Sequence, residues 1–258
     1  MLKGQAEAQL DRLDGIEEDL TARFGERSQA RVFFLYEQLA TVRTALLGKT
    51  EAAAHEILAE RRGILCAKIQ SLYDQDPFPA EMSTPVHRPP SAPGVIEYDG
   101  AVFERRYAEA AELIRHQVVP LDRWRPAVGN RPVGYMYVVD DTGALLVWDH
   151  PFTMAQMLVG RDKVVVGRWT VGHPMLVPDR RRVLAAGEIV PILGTETGAG
   201  LGGIVANLKS GHFRPPPEAA QAVVAACREQ SGLPAHACDV FTIPPAPTSP
   251  RPPLRAPE

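Results

Sequence analysis

The chain is predicted to be an α+β protein: an N-terminal helical hairpin or bundle, then a mainly antiparallel sheet flanked by helices. Three observations predict this. All 24 prolines of the 258 residues fall at or after Pro77, so residues 1–76 can be continuously helical while the remainder is punctuated by turns. Within 1–76, apolar residues recur at spacings of three and four, the period of one helix face. In the second half, runs rich in β-branched residues are joined by short turns rather than crossover helices, which favours antiparallel pairing.

In the first helix Leu10, Leu13, Ile16, Leu20 and Phe24 mark one face, and Gly25 offers a stop. The second fits Ser28 to Leu47, with Phe34, Leu35, Leu39, Val42 and Leu46 as its stripe and Gly48 as its cap. The third begins near Thr50, an N-cap residue type, and carries Ile57, Leu58, Ile64, Leu65, Ile69 and Leu72 to about Tyr73. Each helix has one apolar stripe, which must be buried against the other helices, the C-terminal part or another chain. Leu35, Leu39, Ile57, Ile64 and Leu65 are expected in one interhelical core. Residues 77–94 are proline-rich and read as a linker without regular structure, whose reach lets 1–76 and 95–240 move apart.

Beyond the linker, "GVIEYDGAVFE" reads as a hairpin turning at Asp99-Gly100, and "ERRYAEAAELIRHQV" as a helix with Tyr107, Ala111, Leu113 and Ile114 inward. "VGYMYVVDDTGALLVWD" is a hairpin about Asp141-Thr142-Gly143, and "KVVVGRWTVGHPMLV" is one long strand or two short ones. "RVLAAGEIVPIL" and "LGGIVANLKS" are two more strands. Pro215-Pro216-Pro217-Glu218 opens a helix with Ala220, Val223, Val224 and Cys227 inward, ended by Gly232. Residues 241–258 are a polar, proline-rich tail expected to be disordered.

Composition narrows the function classes. With 45% apolar and 23% charged residues and a net charge of -3, the chain has the balance of an ordinary soluble protein. The longest basic run, Arg180-Arg181-Arg182, reads as a solvated turn, so no nucleic-acid partner is expected. Cys66, Cys227 and Cys238 form no CxxC pair, which argues against a disulfide scaffold and for a reducing compartment. No secretory leader follows Met1, and no apolar run approaches the ~18 residues of a membrane span, so a cytoplasmic location, or secretion by a signal-independent route, is expected. His236-Ala237-Cys238 lacks a second ligand pair, so no metal site is expected. The Gly194–Gly203 stretch lacks both the GxGxxG register and a βαβ context, and reads as a hairpin connection. His55, His87, His116 and His150 are scattered singly and read as surface or capping residues.

The candidate site lies between Gly172 and Pro216. His173, Glu188, Ser210 and His212 fall there, each beside small residues that permit close approach, and are side-chain types that move protons or orient a polar ligand. Each also has a structural reading. His173 can fix a strand end, and Glu188 can form an ion pair with His173, His212 or Arg168. Ser210-Gly211-His212 can be a loop capping the next helix. A Ser-His-acid triad is not favoured, because Ser210 lacks a nucleophile-elbow sequence. Of His173, Glu188 and His212, at least two are expected within side-chain reach of each other, at the end of the C-terminal sheet beside a concave surface.

The order of these motifs resembles a domain of plant IQ-motif calmodulin-binding proteins and their uncharacterised bacterial and fungal relatives. That domain carries roughly His-Ser-Ser-Phe, then Ala-Ala-Gly-Glu, then Ser-Gly-His-Tyr-x-Pro. The matching residues are His173; Ala185, Ala186, Gly187 and Glu188; and Ser210, Gly211, His212, Phe213 and Pro215, within about Val133 to Gly232. Pro174 and Met175 replace the two serines and Phe213 the tyrosine, so no mechanism that needs those hydroxyls transfers. The Gly194–Gly203 stretch looks like an insertion. The resemblance implies no particular reaction.

Three function classes remain. One is an effector- or toxin-like enzyme with a polar pocket at the four residues, performing a group transfer such as ADP-ribosyl transfer, for which alone NAD would be the cofactor. The second is a non-catalytic protein-binding module with the N-terminal helices as partner surface. The third is a helical oligomerisation scaffold with an accessory domain.

Overall fold

In a computed structural model, the described residues are 1–78, 84–127, 133–153, 165–194 and 200–245. Three long helices come first: α1 (Lys3–Phe24), α2 (Gln29–Leu47) and α3 (Ala52–Asp74). Ser28 caps α2, its Oγ accepting from the Arg31 amide at 3.3 Å. The strands are β1 (Val86–His87), β2 (Ile96–Tyr98), β3 (Val118–Pro120), β4 (Val133–Asp140), β5 (Leu145–Trp148), β6 (Phe152–Thr153), β7 (Val165–Val166), β8 (Trp169–Thr170), β9 (Arg182–Leu193), β10 (Leu201–Asn207) and β11 (Cys238–Phe241). Two short helices, α4 (Gly100–Arg106) and α5 (Ala108–Ile114), follow β2, and α6 (Ala220–Ser231) lies between β10 and β11.

The fold is α+β, and its large sheet is antiparallel except where β11 runs parallel to β10. That pair is joined through α6, a crossover that short-turn reasoning does not anticipate. β9 is the spine. One edge pairs with β4 from Val183 to Ile189, while the other is shared by β2, near its start, and β10, from Ile189 to Leu193. A notch is left along Leu184–Glu188 on the shared edge, between β2 and β10.

One face of the sheet packs on α6, with Tyr135, Tyr137, Ala185, Ile189 and Ala206 against Val223, Ala226 and Cys227. The opposite face is covered twice. Leu39 of α2 and Leu65 of α3 share a core with Val190, Ile192, Val205 and Phe241, whereas α4, α5 and the 3-10 turn His173–Leu176 cover Ile96, Val138 and Ala186. The helices and the sheet therefore hold a common core, against the expectation that a reach-giving linker lets them part. The described residues of 77–94 are not without structure either: β1 pairs with β2, and Phe78 bridges to Pro245. The ordered chain also runs past the expected start of the tail, with Phe241 and Ile243 buried. Residues 246–258 lie outside the described residues.

Several expected details differ. Leu35, Leu39 and Leu65 are buried as expected, but Ile57 is only half-buried and Ile64 is 44% exposed. The inward face of α3 is Ala54, Leu58, Arg61, Leu65 and Ile69. On α1, Ile16 and Phe24 are exposed while Glu17 is buried. The reason is a polar seam. Glu17 pairs with Lys68 at 2.9 Å and Arg31 at 2.9 Å, and Arg61 bonds Gln38 at 2.8 Å and pairs with Asp14. Asp99-Gly100 is not a hairpin turn: Asp99 Oδ1 accepts from the Val102 amide at 2.8 Å and caps α4. The following helix breaks at Tyr107, which turns Leu113 outward and Ala110 inward. Among the described residues no helix is long and apolar enough to cross a membrane.

Candidate functional site

Of the four expected site residues, His173 and His212 meet at the notch in β9, on which Glu188 lies, while Ser210 bonds within its own loop. His173 opens the 3-10 turn that covers the sheet there, Glu188 lies on β9, and Ser210 and His212 belong to the loop leaving β10. The two imidazoles come together, with ring centroids 6.2 Å apart. His173 Nε2 donates to the Gly187 carbonyl at 3.0 Å, and His212 Nε2 is hydrogen-bonded to the Tyr107 hydroxyl at 2.9 Å. Ser210 Oγ is fully buried and accepts from the Phe213 amide at 3.3 Å, an ST-type turn. Arg214, which follows, takes φ 46°, a left-handed conformation costing a non-glycine residue about 1–3 kcal/mol.

Glu188 reaches elsewhere. Its Oε2 accepts from Asn207 Nδ2 at 2.8 Å, and neither histidine nor Arg168 is its hydrogen-bond partner. Arg168 instead pairs with Glu109 on the surface at 3.4 Å. Asn207 ends β10, and its amide is fully used. Its Oδ1 accepts from the amides of Glu188 (3.1 Å) and Lys209 (2.9 Å), and its Nδ2 also donates to the Tyr73 hydroxyl (3.1 Å). Tyr73 in turn meets the Tyr36 hydroxyl at 2.5 Å, so a polar chain runs from the sheet into α3 and α2. Sequence reasoning missed Asn207, Tyr36 and Tyr73. The available signal was a lone Asn closing the apolar run "GIVAN".

Two glycines make the approach possible. A Cβ on Gly187 would lie 1.9 Å from the Asn207 carbonyl oxygen, and one on Gly172 would lie 2.8 Å from His212 Cε1. The first meets backbone, so Gly187 must be glycine for β10 to pair here, and a side chain at Gly172 would have to displace the His212 ring.

Burial sets the protonation states. Desolvation pulls His173 down to about 3, helped by His212, and pulls His212 down to about 4, helped by Arg106, so both rings are neutral at physiological pH. Glu188 is half-buried as a residue, yet desolvation of its carboxyl pushes it up to about 7, against Lys209 and the Asn207 bond. That value is in the range of a general acid–base group.

A second polar region lies between the helices and the sheet: a cavity of about 300 Å³. Arg43, Arg62, His55 and His236 supply its polar wall. Leu46, Leu47, Ile192 and Pro234 supply apolar wall. Asp239 stands beside both arginines, with Nε of Arg43 at 2.9 Å from Oδ2 and Nε of Arg62 at 3.1 Å from Oδ1. Arg43 Nη1 donates to the His236 carbonyl at 2.8 Å, but Arg43 Nη2 is buried without a hydrogen-bond partner. His55 and His236, read from sequence as a surface histidine and part of a non-ligating pair, both face this space. Among the described residues no three His, Cys, Asp or Glu side chains cluster to hold a metal ion. No family model, curated protein or solved structure matches the chain.

Proposed function

We propose that this chain is a non-catalytic binding module whose ligand enters the cavity between the N-terminal helices and the sheet. One observation carries the reading: each residue expected to do chemistry makes a bond that holds the fold. His173 secures β9, His212 secures Tyr107, Ser210 forms its own turn, and Glu188 ties β9 to Asn207. The resemblance of 133–232 to the IQ-motif-associated domain belongs to the same proposal, with the shared motif read as a device for closing the notch.

Group transfer is the competing reading, and with it an effector- or toxin-like role. The observation that favours it is Glu188, whose carboxyl is held near 7 by burial. The two separate in a transfer assay with NAD labelled in its ADP-ribose part, using the full chain with cell extract as acceptor. A binding module leaves the label on NAD. Label transferred to protein by the parent, but not by a folded Glu188→Gln variant, would establish the enzyme and discard the module.

A further inference from the structure

Two guanidiniums, of Arg43 and Arg62, line the cavity and share the one carboxylate of Asp239, which is not itself a lining residue, so among the described residues one positive charge is left uncompensated. Among the described residues that line it there is no acidic side chain, and Asp239 is already engaged by both arginines. Arg43 is 8% exposed, and its Nη2 has lost water without gaining a partner. A buried guanidinium N–H left open is costly unless something accepts from it. Among the described residues nothing does.

The walls define the rest of the missing partner. Leu46, Leu47, Ile192 and Pro234 give the cavity an apolar side. Gly202 and Gly203 also line it, and a Cβ on Gly202 would fall 2.4 Å from Leu47 Cδ1, so a side chain there would have to displace Leu47 from the wall. At about 300 Å³ the space is at the small end of ligand pockets, which run from about 300 to 1,000 Å³.

We propose that this cavity binds a small organic monoanion, a carboxylate head on Arg43 and Arg62 with an apolar body against Leu46, Leu47 and Ile192. The proposal rests on the binding-module reading and names its ligand class. A single carboxylate matches the one positive charge left unpaired among the described residues, and its oxygen can accept from Arg43 Nη2, the donor that Asp239 and the His236 carbonyl leave open. A phosphate dianion would overcharge the site, and it would leave the apolar wall bare.

Sodium hexanoate is the probe, titrated calorimetrically into the full chain at neutral pH, with 1-hexanol and inorganic phosphate as comparisons. Saturable heat from hexanoate alone is expected. Leu47 is 41% exposed, so Leu47→Glu should keep the fold while setting a carboxylate in the cavity wall. It should weaken hexanoate binding by roughly tenfold or more, with an unchanged circular dichroism spectrum. Arg43→Lys, which keeps the charge but removes the open Nη2 donor, should also weaken it. Equal binding of 1-hexanol would overturn the anion while leaving a binding module. Tighter binding of phosphate, no saturable heat from hexanoate, or undiminished binding by Leu47→Glu would each overturn the assignment. Failure of the binding-module reading itself appears elsewhere, as label transfer from NAD.

Discussion

Glu188, His173 and His212 lie within a few residues' reach of one notch, yet they respond to pH in opposite senses. Glu188 has its folded value raised to about 7 from an ordinary 4.5, so its contribution is complete below 4.5 and is lost as pH rises to 7. The histidines are depressed to about 3 and about 4 from 6.5, so their contribution is present above 6.5 and is lost as pH falls through that interval. Glu188→Gln removes the alkaline loss. In chemical denaturation at pH 8 it should be more stable than the parent by on the order of 2–3 kcal/mol, with the difference shrinking to nothing near pH 4. A variant equally destabilised at both pH values would show that the carboxyl is held by pairing rather than strained by burial. The sequence makes these three residues conspicuous, as polar groups beside glycines, but not the partner of Glu188. Asn207 and Tyr73 are 134 residues apart, and periodicity carries no information about such a contact.

For the helices, residue spacing settles existence and length but leaves the rotation of α3 open. Ile57 and Ile64 are seven apart, as are Leu58 and Leu65, so two adjacent registers offer equally apolar stripes. The register realised is the one that puts Arg61 where Gln38 and Asp14 meet it from α2 and α1. A charged residue, which a hydrophobic pattern counts against a face, thus decides which face is inside. Leu39→Ala should cost about 2–5 kcal/mol in chemical denaturation, because Leu39 is fully buried. Ile64→Ala should fall within about 0.5 kcal/mol of the parent. Equal losses at the two positions would mean that Ile64 is covered in solution, as by a second copy of the chain. The hairpin expected at Asp99-Gly100 failed for a related reason: Asp-Gly suits a tight turn, but an aspartate also caps a helix, and the residues after it are helical.

At the level of the whole molecule, a proline boundary suggests two separable parts, while the structure gives one body. Composition registers where helices stop, not whether their outer faces are already satisfied. Here they are not: Tyr36 packs edge-on to Phe241 at 5.9 Å, and Gln70 of α3 bonds the Thr242 backbone on both sides, accepting at 3.1 Å and donating at 2.9 Å. A fragment of residues 1–76 should therefore lack a cooperative thermal transition by circular dichroism, whereas the full chain melts in one step. A fragment melting cooperatively at the temperature of the whole would restore the two-part description.

The pairing of Tyr36 with Phe241 also orders events in time. At a synthesis rate of about 5–20 residues per second, the sheet-facing side of α2 leaves the ribosome roughly 10–40 s before the strand that covers it exists. Throughout that interval an apolar surface waits for the strand that covers it, and a chaperone's protection would serve it until then.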